Sequence, residues 1–267
     1  MFLEPHILRM KPRSDSSQRL IDFSLDVSPT PAGVADCVDL DGNSCSTLWF
    51  DGKHQRLCIT VNSNVETLVS NPFNFMITSQ GACNVPASYH EPIREQLGPY
   101  LGQIAHDRVS ADFGAAVILE TGRETVAFLC WLAAKISNSF KKVVRPNGDA
   151  FEPAVTLKRG QGACRDLTVL FMEACRSVGL ASRFVSGYME GFSTRDDGDL
   201  HAWAEIYLPG AGWRGFDPTL GLAVADRHVA IAASPTPAGA APVSGSFRAD
   251  SATARFRYEV SVKATYA

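Results

Sequence analysis

The stretch that most limits the fold is Gly160 to Gly179, GQGACRDLTVLFMEACRSVG. Leu167, Leu170, Phe171, Ala174, Cys175 and Val178 recur at spacings of three and four, the stripe of a helix packed on one face, and Gly179 supplies its C-terminal cap. Three strand-like runs follow, SRFVSGYM, HAWAEIYL and WRGFD, and the PGAG between the last two predicts a hairpin. A helix of this kind ahead of sequential strands calls for an α+β arrangement, with helices laid on an antiparallel sheet.

The first 80 residues have a different texture. Short alternating runs, HILRM, RLIDFSLDV, STLWF, RLCITV and VETLV, are separated by turn material that includes Asp41-Gly42 and Asp51-Gly52. That pattern predicts an antiparallel β module over residues 1–85, followed by a second domain over 86–267. Residues 86–123 carry mixed signals and are expected to form a linker with one or two short helices. In TGRETVAFLCWLAAKISNSFKK, Thr121 stands three residues before Glu124, a capping-box spacing, and Val126, Leu129, Cys130, Ala133 and Ile136 continue at helical spacing. The Pro-, Ala- and Gly-rich 232–247 is expected to be a loop, and the alternating ARFRYEVSV at 254–262 a closing strand.

Composition removes several function classes. With 25 basic and 28 acidic residues and a net charge of −3, the chain has no global attraction for nucleic acid or an anionic membrane. It has no apolar run of membrane-spanning length, and MFLEPHILRMKPRSDSSQ lacks the apolar core of a signal peptide, so a cytoplasmic protein is expected. Seven cysteines without a CxxC fit neither a disulfide framework nor a zinc ribbon.

Cys175 falls on the buried stripe, whereas Cys164 stands at the helix N-terminus. Unpaired amides there stabilise a thiolate and can also donate to a developing oxyanion. A cysteine nucleophile needs a base and an orienting acceptor. Among six histidines, His201 is the best placed, at the opening of the strand HAWAEIYL after the polar loop TRDDGD; His228 follows an Asp-Arg pair in an expected loop. The third member is Asp217, at the end of WRGFDPT. Pairing Leu208 with Trp213 would turn Asp217 away from His201, so the reading requires a five-residue loop or a bulge that brings Asp217 level with Trp203. GQGACR begins like a GxGxxG nucleotide loop, but Arg165 occupies the third glycine position. Cys164, Cys175, His201 and Asp199 lack metal-ligand spacing on one face.

Gly162-Ala163-Cys164-Arg165-Asp166 at a helix start, then GLASRFVSGYM, then DLHAWAEIYLPGAGWRGFDPT, resembles the transglutaminase-like superfamily of bacterial proteins, over roughly residues 120–230. HILRMKPR and the DLDGN turn resemble the β-sandwich module that precedes the core in such proteins. The resemblance implies a papain-like core and a Cys164, His201, Asp217 triad. It implies cysteine-dependent acyl transfer from amides through a thioester, with no metal or organic cofactor and a peptide or protein as substrate. Asp166 matches an acidic position of the family and is expected to support the helix start. Gln161 is a candidate oxyanion donor, and Trp203 a candidate substrate wall or shield for the thiolate. Hydrolysis is favoured; amine acceptors, which would give crosslinking, stay open, as does a non-catalytic interaction module on the same fold.

Overall fold

The computed structural model describes residues 1–102, 108–145, 147–190, 199–249 and 255–265. Six strands come first: β1 (Phe2–Leu3), β2 (His6–Leu8), β3 (Gln18–Ser28), β4 (Gly33–Val38), β5 (Ser44–Trp49) and β6 (Cys58–Thr67). Helices α1 (Ile93–Gln96), α2 (Gly98–Leu101), α3 (Arg108–Thr121) and α4 (Thr125–Ser139) lead to β7 (Lys141–Lys142), α5 (Pro153–Arg159), β8 (Gln161–Gly162) and α6 (Cys164–Ser177). The chain continues through β9 (Ser182–Met189), β10 (Asp199–Leu208), β11 (Gly212–Asp217), β12 (Leu222–Ala223) and β13 (His228–Ser234), and then β14 (Val243–Ser244) and β15 (Phe247–Arg248).

α6 is the axis of the larger part. Every residue from Asp166 to Arg176 is buried, with the sheet on one side and other helices around the rest. The main sheet is antiparallel, in the order β12-β11-β10-β9-β13. Ala202, Ala204, Ile206 and Leu208 of β10 join the α4 and α6 residues Leu129, Leu132, Leu167, Leu170 and Phe171 in one apolar core. Buried Arg176 fastens the far end of α6. Its guanidinium donates to Ser182 Oγ (3.0 Å), Ser182 O (2.7 Å), Gly102 O (2.8 Å) and Pro235 O (2.7 Å), so its burial is compensated by hydrogen bonds.

The outer edge of β13 is closed by side chains of the N-terminal module. Gln18 takes the backbone N–H of Ala230 on its carbonyl oxygen (2.7 Å) and donates to Ala230 O (2.9 Å). Asn43 does the same at Ala233, at 2.8 Å in both directions. Two primary amides thus substitute for a neighbouring strand and satisfy backbone groups that an edge would leave open. The chain also returns to this module: β14 pairs with β2 and β15 with β1, so a unit ending at residue 85 would lack two of its strand partners.

Several local expectations are corrected. Thr121 ends α3, its hydroxyl donating to Val117 O (3.0 Å), and does not open a capping box. Glu124 is the N-cap of α4, accepting from Val126 N (3.1 Å) and Ala127 N (2.5 Å). The expected linker holds the 14-residue α3, whose weak amphipathic pattern hid it. Within the expected loop 232–247 run the end of β13 and the short β14, and the described part of 254–262 forms no strand, since alternation supplies a surface but not an edge to pair with. Residues 194–198 of the TRDDGD loop lie outside the described residues.

Asn43→Ala should strip both partners from the buried N–H and C=O of Ala233. The expected cost is about 2–4 kcal/mol in urea unfolding, and a loss below about 0.5 kcal/mol would show that the edge does not depend on this amide.

Candidate functional site

Each residue of the GQGACRD stretch has a structural task. Gly160 ends α5 in the left-handed region, at φ 61°, where a glycine carries no Cβ penalty. Gln161 and Gly162 form β8, parallel to Lys141 and Lys142. A Cβ on Gly162 would stand 2.9 Å from Asp166 Cβ, so glycine lets the loop close over that carboxylate. Asp166, fully buried, accepts from Ala163 N (2.8 Å) and Phe151 N (2.8 Å) and pairs with Arg145 at 2.5 Å. These bonds fasten the turn at which α6 begins. Cys164 is the first residue of α6 and is partly buried. The Thr168 hydroxyl, 2.9 Å from Cys164 O and 3.1 Å from Ala202 O, binds this first turn to β10 beside His201.

The β10–β11 register is the one that turns Asp217 toward His201. Tyr207 lies opposite Trp213 and Ala204 opposite Phe216, which carries Asp217 to the level of Trp203. The turn accommodates this with Gly210 and Gly212 both at positive φ. His201 Nε2 donates to Asp217 Oδ2 at 2.7 Å. His201 is 7% exposed and Asp217 is completely buried.

A second histidine meets the same oxygen. His228 Nε2 lies 3.0 Å from Asp217 Oδ2, and the remaining oxygen, Oδ1, accepts from Thr219 N (2.8 Å) and Leu220 N (3.1 Å). His228 was expected in a loop; instead it opens β13 and is buried. The available signal was HVAIAAS, a histidine opening an apolar run just as His201 opens HAWAEIYL. The ligating atoms of His201, Asp217 and His228 fall within 4.8 Å of one another. Two N–H donors on one ionised carboxylate account for that spacing, whereas a metal would require the lone pair of both Nε2 atoms.

Trp203 is 1% exposed, so it backs the imidazoles and forms no open substrate wall. Its ring lies nearly parallel to His201 at 6.4 Å and edge-on to His228 at 5.1 Å. Gly187 makes room for it: a Cβ there would stand 2.4 Å from the indole and 2.2 Å from Val229 O. Gln161 is half-buried just ahead of the helix.

The electrostatics follow from this packing. Burial alone would lower the His201 pKa, but hydrogen bonds to Asp217 and Cys164, together with the charge of both, outweigh it and push the pKa up to about 10. Burial would raise the Asp217 pKa, yet hydrogen bonds from His201 and His228 hold it well below the usual carboxylate range. The charged forms of Asp217 and His201 are therefore both favoured. Since the folded imidazole titrates above its unfolded value of about 6.5, its stabilising contribution is complete below pH 6.5 and disappears as pH rises toward about 10. The melting temperature should fall over that window, and His201→Gln should flatten the fall; equal slopes in both proteins would contradict the charge assignment.

Among relatives, an uncharacterised protein of Mycobacterium leprae is 24% identical over 254 residues, covering 92% of this chain and 87% of the relative. An uncharacterised protein of Mycobacterium tuberculosis is 26% identical, covering 83% and 74%. The crystal structure of a protein from Cytophaga hutchinsonii, described as a candidate cysteine protease, shares the fold at a TM-score of 0.69 and 19% identity, over 97% of this chain and 90% of that one. No described helix is long and apolar enough to cross a membrane. Residues 1–66 match the bacterial transglutaminase-like N-terminal region, and residues 119–218, which hold α4 to β11, match the core of the transglutaminase-like superfamily.

Proposed function

We propose that this protein is a cysteine-dependent hydrolase of peptide or isopeptide bonds, with Cys164 as nucleophile, His201 as general base and acid, and Asp217 as orienter. The observation that carries the reading is the placement of one imidazole: its Nε2 is on a fully buried carboxylate, and its strand is tied through Ala202 to the helix turn that begins at Cys164. Likeness of fold to the Cytophaga hutchinsonii protein favours hydrolysis over crosslinking.

The steps use what these groups hold. With Nε2 committed to Asp217, Nδ1 is the nitrogen that exchanges a proton with sulfur. The Cys164 thiolate adds to the amide carbonyl carbon, and the oxyanion is met by the first-turn amides of α6, with Gln161 as a further donor. The C–N bond breaks as His201 Nδ1–H protonates the leaving amine, which leaves a thioester. Neutral His201 then deprotonates a water that attacks the thioester. The acid departs, the sulfur leaves as thiolate, and the imidazole regains its proton. Throughout, Asp217 stabilises the imidazolium without accepting the proton.

Incubation with a peptide library, read by mass spectrometry, should yield fragments that have gained one water. Cys164→Ala should abolish them and His201→Ala should slow them about 10²–10⁴-fold. Products in which an added amine replaces the water would move the assignment to transamidation. Cleavage that survives Cys164→Ala would overturn it.

A further inference from the structure

We propose that His228 is a positioning residue for the His201–Asp217 pair, a neutral second imidazole that fixes the shared carboxylate oxygen without discharging it. The proposal rests on the catalytic reading above and extends it to a residue outside the expected triad.

The geometry carries it. β13 and β11 are separated in the sheet by β10 and β9, and His228 Nε2 nonetheless reaches Asp217 Oδ2 at 3.0 Å. Gly187 of β9 leaves room for the Trp203 ring, which packs on both imidazoles and backs them. Asp217 then has donors on both oxygens: the turn amides of Thr219 and Leu220 hold Oδ1, and two rings hold Oδ2. Without His228, His201 alone would hold Oδ2, and it is His201 that must gain and lose a proton.

The charge state of His228 follows from its other nitrogen. Its side chain is 2% exposed, and Nδ1 has no hydrogen-bond partner among the described residues. A protonated ring would bury an N–H with no acceptor, so the neutral Nε2–H tautomer is the one that fits. Among the described residues, the titratable and charged groups around the ring are Asp217 on β11 and His201 on β10, then Glu205 and Arg214, which line the cavity next to it. Glu205 is paired with Arg183 at 2.6 Å, and Arg227, the preceding residue, with Glu190 at 3.1 Å. His228 therefore supplies a hydrogen bond, and the full negative charge of Asp217 stays available to the His201 imidazolium.

The test follows iodoacetamide alkylation of Cys164 as a function of pH, resolved by mass spectrometry of its peptide, in the full chain. His228→Leu should slow alkylation at neutral pH about tenfold and raise the midpoint of its pH profile by about one unit. His228→Gln, whose amide N–H reaches the place of Nε2–H, should restore most of both. A His228→Leu protein with wild-type rate and midpoint overturns the proposal, as does a His228→Gln protein no better than His228→Leu. Should His228→Leu not fold, His228→Asn, whose shorter amide does not reach Oδ2, replaces it in the comparison with His228→Gln. A wild-type Cys164 that reacts no faster than the exposed Cys37, and is indifferent to His201→Ala, instead overturns the catalytic reading itself.

Discussion

A carboxylate with no access to water must be surrounded by donors or give up its charge. Asp217 is such a group, and the site is arranged around keeping it ionised. Two backbone amides of its own turn and two imidazoles from different strands converge on its two oxygens. The hairpin register sets the level of Asp217, and the glycine that admits the Trp203 ring lets that ring back both imidazoles. Once it is satisfied, His201 is oriented by Nε2 and its charged form is favoured, so the state of the ring beside Cys164 is set by packing several residues away.

The other half of the site depends on a helix end. α6 is buried along nearly its whole length, so its first turn has little freedom, and Asp166 fastens that turn to Arg145 and to two backbone amides. Thr168 then ties the same turn to β10. The start of α6, which carries Cys164, and β10, which carries His201, are thus joined in the core.

Much of this was legible in residue order. The period of three and four after Cys164 separated a buried cysteine from one at a helix mouth, and the alternation of HAWAEIYL and WRGFD fixed the hairpin and exposed the register question that Asp217 raised. The α3 helix was not legible, because its apolar residues are spread around it and the helices before it are a single turn long. Glu124 was misassigned within its cap because Thr121 offered an equally good spacing, and only the end of α3 decides between them. His228 was missed for a different reason. Its partner is three strands away in the sheet and eleven residues away in sequence, a contact that no local pattern announces.

The two amides that cap β13 also bear on how a polypeptide could approach. Many peptide-binding folds recruit an extended ligand as an extra strand on an open sheet edge. Here the backbone positions of Ala230 and Ala233 that such a ligand would use are already engaged by Gln18 and Asn43. The opposite border is only the two-residue β12. A polypeptide therefore cannot dock by lengthening this sheet through Ala230 and Ala233. The N-terminal module thereby excludes one mode of recruitment while supporting the strand that bears His228.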